Sequence, residues 1–167
     1  MRRTSRRYLL SVSLLVSALL GVTPALADAD HCRHVGGGVL TNFLQPADCP
    51  ASFQNLCTDG TATGDLKGAV GVSVLGINGN VFHVHHHWVT ESGDTIFLKD
   101  AFLTSFPTSD PNRVLADYLN GVDITGGTGA FEGATGTVFA FGAADLKAGQ
   151  ITLRYAGTVC FKPEALH

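Results

Sequence analysis

Apolar and polar positions alternate with a period of two over most of this chain. Residues 150–161 show it best. Ile151, Leu153, Tyr155, Gly157, Val159 and Phe161 fall on one side, and Thr152, Arg154, Ala156, Thr158 and Cys160 on the other. Side chains on a strand point to opposite faces in turn, so the pattern predicts a strand with the first set turned inward. Residues 67–77 (Val-rich, broken by glycines), 81–91, 95–106 and 135–141 read the same way. Between them lie turn signals: Asn78-Gly79, the strongest short hairpin signal, then Ser92-Gly93, the loop 107–112 and Lys147-Ala-Gly149. Residues 113–124 are ambiguous, because Val114 to Leu119 fits a helical turn while residues 122–125 read as strand. The stretch 28–57 holds three cysteines, Pro46, Pro50 and Gly36-Gly37-Gly38. It reads as an irregular lead-in with one short strand around Val39 to Leu44, ahead of a β domain over 58–167.

Short strands at near-hairpin spacing predict an all-β sandwich or a closed antiparallel up-and-down barrel. Closure has the advantage of removing exposed strand edges. The glycine-rich segment Ile124-Thr-Gly-Gly-Thr-Gly-Ala-Phe-Glu-Gly-Ala-Thr-Gly-Thr-Val-Phe139 bears on the choice. It is not a dinucleotide fingerprint. Gly127 and Gly129 give G-x-G, but Glu132 stands where the third glycine belongs, and the sequel is strand-like rather than helical. A phosphate-binding loop also needs Lys-Ser or Lys-Thr after its last glycine, which is lacking. The segment reads as an irregular turn between two strands.

That segment, followed by a strand and then Leu153-Arg-Tyr-Ala-Gly-Thr-Val-Cys160, resembles the closing part of the allene oxide cyclase-like barrels. Plant dirigent proteins are similar, and bacteria have exported relatives. The resemblance covers roughly residues 68–161 in layout. It implies an antiparallel barrel of about eight strands around a cavity for a small apolar molecule. It also implies that members which are enzymes steer cyclisation or coupling largely by shape, with no redox cofactor required. Tyr155, Phe139 and Phe141 are the candidate ligand-binding residues. No catalytic residue can be carried over.

Charge and targeting narrow the setting. Arg2, Arg3, Arg6 and Arg7 precede an apolar run from Leu9 to Val22 and an Ala25-Leu26-Ala27 cleavage site, so residues 1–27 read as a signal peptide. Ser5-Arg6-Arg7-Tyr8-Leu9-Leu10 also resembles a twin-arginine signal, so Sec and twin-arginine export both stay open. Either route delivers a secreted or periplasmic protein with no membrane insertion after cleavage. Without its four leader arginines the chain keeps 7 basic and 14 acidic residues, a net charge of −7. That excludes nucleic acid as a partner, since phosphate binding needs clustered Lys and Arg. A small apolar molecule and a homo-oligomer both remain admissible partners.

Cys32, Cys49, Cys57 and Cys160 form an even set in an exported chain, which predicts two disulfides. All three connectivities are open. A zinc site is the rival, weakened by the lack of a C-x-x-C pair.

The second feature is Phe82-His83-Val84-His85-His86-His87-Trp88. On a strand His83, His85 and His87 share one face, and Phe82, Val84, His86 and Trp88 the other. Same-face neighbours lie about 6.6 Å apart, so two imidazoles can converge on one zinc or copper ion, with Asp100 as a ligand from the next strand. Glu91, His31 and His34 are further donors. Three readings compete. The histidines lie on the solvent face, or two of them hold a metal, or they line a cavity as acid/base or hydrogen-bonding groups. Other catalytic patterns are weak: there is no G-x-S-x-G elbow, and Asp94, Asp117, Asp123, Glu132 and Asp145 are scattered. Three functions follow: a barrel binding a small apolar ligand, as a cofactor-independent cyclase or isomerase or a dirigent-like protein; a divalent metal-binding protein using the strand of His83, His85 and His87; and a non-enzymatic secreted interaction barrel.

Overall fold

The computed structural model describes residues 31–163. The predicted signal peptide lies outside them. Ten strands form one sheet: β1 His31–Phe43, β2 Cys57–Ala62, β3 Gly68–Asn78, β4 Val81–Thr90, β5 Thr95–Leu98, β6 Ala101–Pro107, β7 Arg113–Asp117, β8 Val122–Gly127, β9 Thr135–Asp145 and β10 Gln150–Phe161. Apart from three short 3-10 turns, the described residues hold no helix. None is long and apolar enough to cross a membrane.

The sheet closes into an eight-position antiparallel barrel. β5 and β6 both pair with β4, and β8 and β7 both pair with β9, so each couple is one strand interrupted midway. β10 pairs with both β9 and β1, which seals the ring. The expected eight-stranded up-and-down barrel is therefore the observed architecture.

Three local readings change. The strand expected around Val39–Leu44 runs from His31 and pairs with β10 from His31↔Phe161 to Asn42↔Gln150. Its glycines hid it, yet they are what the fold needs: a Cβ on Gly37 would collide with the Thr63 carbonyl and the Tyr155 hydroxyl. The residues 95–106, read as one strand, break at Lys99-Asp100. The 113–124 segment makes no helix; it is β7, a turn closed by Gly121 N–H donating to Tyr118 C=O at 2.8 Å, and β8. The glycine-rich segment is the expected β8–β9 connection. Gly129 sits at φ +53°, packed against the Asp94 carboxylate, a place where a side chain fits neither the backbone angle nor the space.

Two disulfides form, Cys32–Cys160 and Cys49–Cys57, and among the described residues no cysteine is free. The first joins β1 to β10; the second pins the 3-10 turns Pro46–Asp48 and Phe53–Asn55 to the start of β2. Two disulfides suit an oxidising, extracellular-type environment.

The barrel has two unlike ends. One is filled by Leu66, Trp88, Ile96, Phe131, Ala134 and Val159, all buried. The loop between β2 and β3 folds over this end, tied by Gly36 N–H donating to the Asp65 carboxylate at 2.8 Å. Towards the other end the inward residues are smaller, and the barrel is hollow.

Candidate functional site

The hollow half encloses a cavity of about 380 Å³. Its wall is almost wholly apolar, because the strands turn small residues inward there: Val70, Val72 and Val74 from β3, Val114 and Ala116 from β7, and Val138, Ala140 and Ala144 from β9. Larger apolar side chains share the wall, among them Phe43, Phe82, Leu103, Ile151 and Leu153. No Lys, Arg, Asp or Glu lines the wall. The volume lies within the roughly 300–1,000 Å³ typical of small-molecule pockets.

The floor, where hollow meets packed, carries the polar chemistry. Trp88 and Tyr155 meet edge to face at 5.5 Å. Their polar ends are satisfied: Trp88 Nε1–H donates to Leu66 C=O at 2.8 Å, Tyr155 O–H donates to Thr63 C=O at 2.9 Å, and the Tyr155 oxygen accepts from Leu66 N–H at 2.9 Å. Burial raises the Tyr155 phenol above its usual pKa, against the Leu66 N–H bond, which favours the phenolate.

Beside them, His86 Nε2 lies 2.8 Å from the Tyr118 hydroxyl. Both residues line the cavity, and both owe their place to the strand breaks. His86 stands on β4 between Val84, which pairs with Ala101 of β6, and Trp88, which pairs with Ile96 of β5. It therefore faces the Lys99-Asp100 interruption. Tyr118 opens the interruption between β7 and β8, held by its N–H on Ala140 C=O at 2.9 Å. His86 Nδ1 is shut from solvent with no partner among the described residues, and so is Thr58 Oγ1. The two lie on one level of the barrel, since Thr58 pairs with Val72 and Val72 with His86. Burial above all pulls the His86 pKa down to about 4, helped by His85 and His87 and opposed by Asp100. Burial pushes the Tyr118 phenol up. Both groups are therefore neutral at pH 7.

The histidines of β4 divide between the two faces of the wall. Phe82, Val84, His86 and Trp88 point inward. His83, His85 and His87 lie on the outer side, which is the solvent-face reading, and His87, the most exposed of the three, also borders the cavity. There His85 Nδ1 bonds Asp100 Oδ1 at 2.6 Å, His83 Nε2 lies 3.9 Å from Asp100 Oδ2, and His83 stacks on Phe102 at 4.9 Å. The expected neighbours thus do meet, but no group of three or more His, Cys, Asp or Glu among the described residues is placed to hold a metal ion. Glu91 is engaged by Lys67, while His34 Nδ1 lies 3.3 Å from Thr158 Oγ1. His31 and His34 sit on β1, three strand positions from β4.

Of the candidate ligand-binding residues, Tyr155 lines the cavity. Phe139 and Phe141 do not; they stand on the outer face, 52% and 62% exposed. The reason is the parity of β9. Val138, Ala140 and Ala144 face inward, so the bulky odd-numbered neighbours face out. His86 and Tyr118 were not singled out from the sequence. The available signal for His86 was a titratable group in phase with Phe82, Val84 and Trp88. Tyr118 lay in the ambiguous segment.

No family model and no curated protein matches this chain. Among solved structures it is similar to the pterocarpan synthase dirigent protein GePTS1, at 14% identity and a TM-score of 0.33, over 81% of this chain and 88% of that one.

Proposed function

We propose that this protein is an exported, dirigent-like barrel that binds a small, uncharged, largely apolar molecule in its hollow half. The observation that carries the reading is the 380 Å³ apolar cavity itself. A void of that size is close to a dozen water volumes, and an apolar void is not stabilised by filling it with water. The other end is filled by buried side chains such as Leu66, Ile96, Phe131 and Val159, so the hollow goes with the smaller residues that line it. A wall free of charged groups suits a reaction steered by shape, such as cyclisation, isomerisation or coupling of an intermediate made elsewhere, and equally suits simple carriage. Export follows from the N-terminal leader pattern, by Sec or the twin-arginine route.

The test uses N-phenyl-1-naphthylamine, a neutral apolar fluorophore. The expected result is saturable one-to-one binding with enhanced, blue-shifted emission. Ala140→Phe, which places a ring in the void, should abolish it while the far-ultraviolet circular dichroism stays unchanged. No binding by the wild-type protein would overturn the reading.

A further inference from the structure

We infer that Tyr118, positioned by His86, is the hydrogen-bond donor that anchors the cavity's occupant. The occupant then carries an uncharged acceptor oxygen, of the ketone, ether or phenol kind, on an apolar body. This inference rests on the cavity-binding reading and adds to it the chemical class of the ligand.

The argument is one of proton placement. A neutral imidazole carries a single N–H, on Nδ1 or on Nε2. Nδ1 of His86 is buried with no partner among the described residues, whereas Nε2 lies 2.8 Å from the Tyr118 hydroxyl oxygen. A hydrogen on Nδ1 would orphan a buried N–H donor, and orphaned buried donors are the rarest unsatisfied groups in folded proteins. With the hydrogen on Nε2, the imidazole donates to the tyrosine oxygen, and the donor left over is the phenolic hydrogen of Tyr118, which, unlike one on the shut-off Nδ1, belongs to a ring bordering the cavity and can be met by an occupant. The phenolic hydrogen of Tyr118 is then released from His86. No other acceptor engages it among the described residues, and the cavity is the space its ring borders. Tyr155, the other cavity phenol, differs in this respect, because its hydroxyl is spent on Thr63 and Leu66.

The same neutrality selects against ions. Neither His86 nor Tyr118 is charged at pH 7, and the wall offers no counter-charge, so a carboxylate or ammonium would be desolvated with nothing in return. A ketone-like oxygen needs one donor, which Tyr118 supplies. The unpaired Thr58 hydroxyl, on the same level as His86, offers a second polar contact for a ligand bearing another oxygen.

The test compares two probes of matched shape, 2-acetylnaphthalene, which carries an acceptor oxygen, and 2-ethylnaphthalene, which does not. The wild-type protein should favour the ketone by roughly two- to tenfold, the net worth of one hydrogen bond. Tyr118→Phe should erase that preference and leave 2-ethylnaphthalene binding intact. The infrared carbonyl band of bound 2-acetylnaphthalene should shift to lower wavenumber in the wild type and return in Tyr118→Phe. His86→Phe, which keeps the phenol but frees it, should reduce the shift. Equal binding of the two probes, or a preference and band shift that survive Tyr118→Phe, would overturn the inference while the cavity reading stands. Should Tyr118→Phe not fold, the wild-type band decides, and an unshifted carbonyl overturns the inference. If N-phenyl-1-naphthylamine, 2-acetylnaphthalene and 2-ethylnaphthalene all fail to bind, the cavity reading itself has failed.

Discussion

The two ends of this barrel share strands, connectivity and hydrogen-bond ladder, yet one is solid and the other hollow. The difference lies in side-chain volume at inward positions. At the packed end Trp88, Ile96, Leu66 and Phe131 meet across the axis. At the hollow end the corresponding levels carry Val72, Val74, Val114, Ala116, Ala140 and Ala144. Backbone closure fixes a radius; the residues then decide whether it is filled. Stability should therefore concentrate at one end and ligand chemistry at the other, with the polar pair His86–Tyr118 on the border. Each end also has its own disulfide, which offers the most forceful way to separate them.

Cys32–Cys160 spans 128 residues and Cys49–Cys57 only 8. On the chain-entropy account the longer closure stabilises by about 5 kcal/mol and the shorter by about 2.5 kcal/mol. Cys32→Ser with Cys160→Ser should thus cost about twice as much in urea titration as Cys49→Ser with Cys57→Ser. Only the latter pair, whose turns border the hollow end through Leu56, should also weaken binding of N-phenyl-1-naphthylamine. Equal losses from the two pairs would break the chain-entropy account, and equal losses of binding would break the assignment of the ligand site to the end that Cys49–Cys57 borders.

Trp88→Ala is next in size. It removes the largest ring from the packed end and leaves Leu66 C=O without its indole donor. A loss of about 4 kcal/mol is expected from the cavity created.

Acid should act through the border. Burial holds the His86 pKa at about 4 in the folded protein, against the ordinary 6.5 of a free imidazole. The unfolded chain therefore binds the proton more tightly. The stability this group contributes is complete above about pH 6.5 and is lost as pH falls from there towards 4, by up to about 3 kcal/mol. Urea midpoints at pH 7 and pH 4.5 should differ more for the wild type than for His86→Gln. An equal pH dependence in both would show that His86 is not held neutral by burial.

Much of this layout is legible in the sequence, and the parts that are not have physical causes. The alternation in β10 names the inward row correctly, because its two faces differ in polarity from end to end. β9 misleads, because phenylalanine counts as core on any hydrophobicity scale. Here Phe139 and Phe141 stand outside, while glycine, alanine and valine take the interior to make room. In β4 the parity of Phe82, Val84 and Trp88 already contains the answer for the histidines, three out and His86 in; what sequence lacks is the sign of that parity. Tyr118 is beyond reach of periodicity altogether, since it lies at a strand interruption that breaks the period. The pairing of the four cysteines depends on which strand lies beside β10, and that follows only from closure.

The smallest effect makes the sharpest comparison. Ala134 and Ala140 both face into the barrel, Ala134 fully buried at the packed end and Ala140 on the cavity wall. Leucine adds the same three carbons at either site. At Ala134 no space exists to take them, so Ala134→Leu should cost about 1–3 kcal/mol through forced rotamers and backbone shifts. At Ala140 the carbons enter a void and are removed from water, a gain of about 0.8 kcal/mol per methylene against which some side-chain entropy is lost. Ala140→Leu should leave stability unchanged or raise it by about 1 kcal/mol, and it should lower binding of N-phenyl-1-naphthylamine. Opposite signs from identical chemistry would mean that the hollow is room left by small side chains. A matching loss at both sites would mean that the wall of the hollow closes in solution, and the distinction between the two ends would disappear with it.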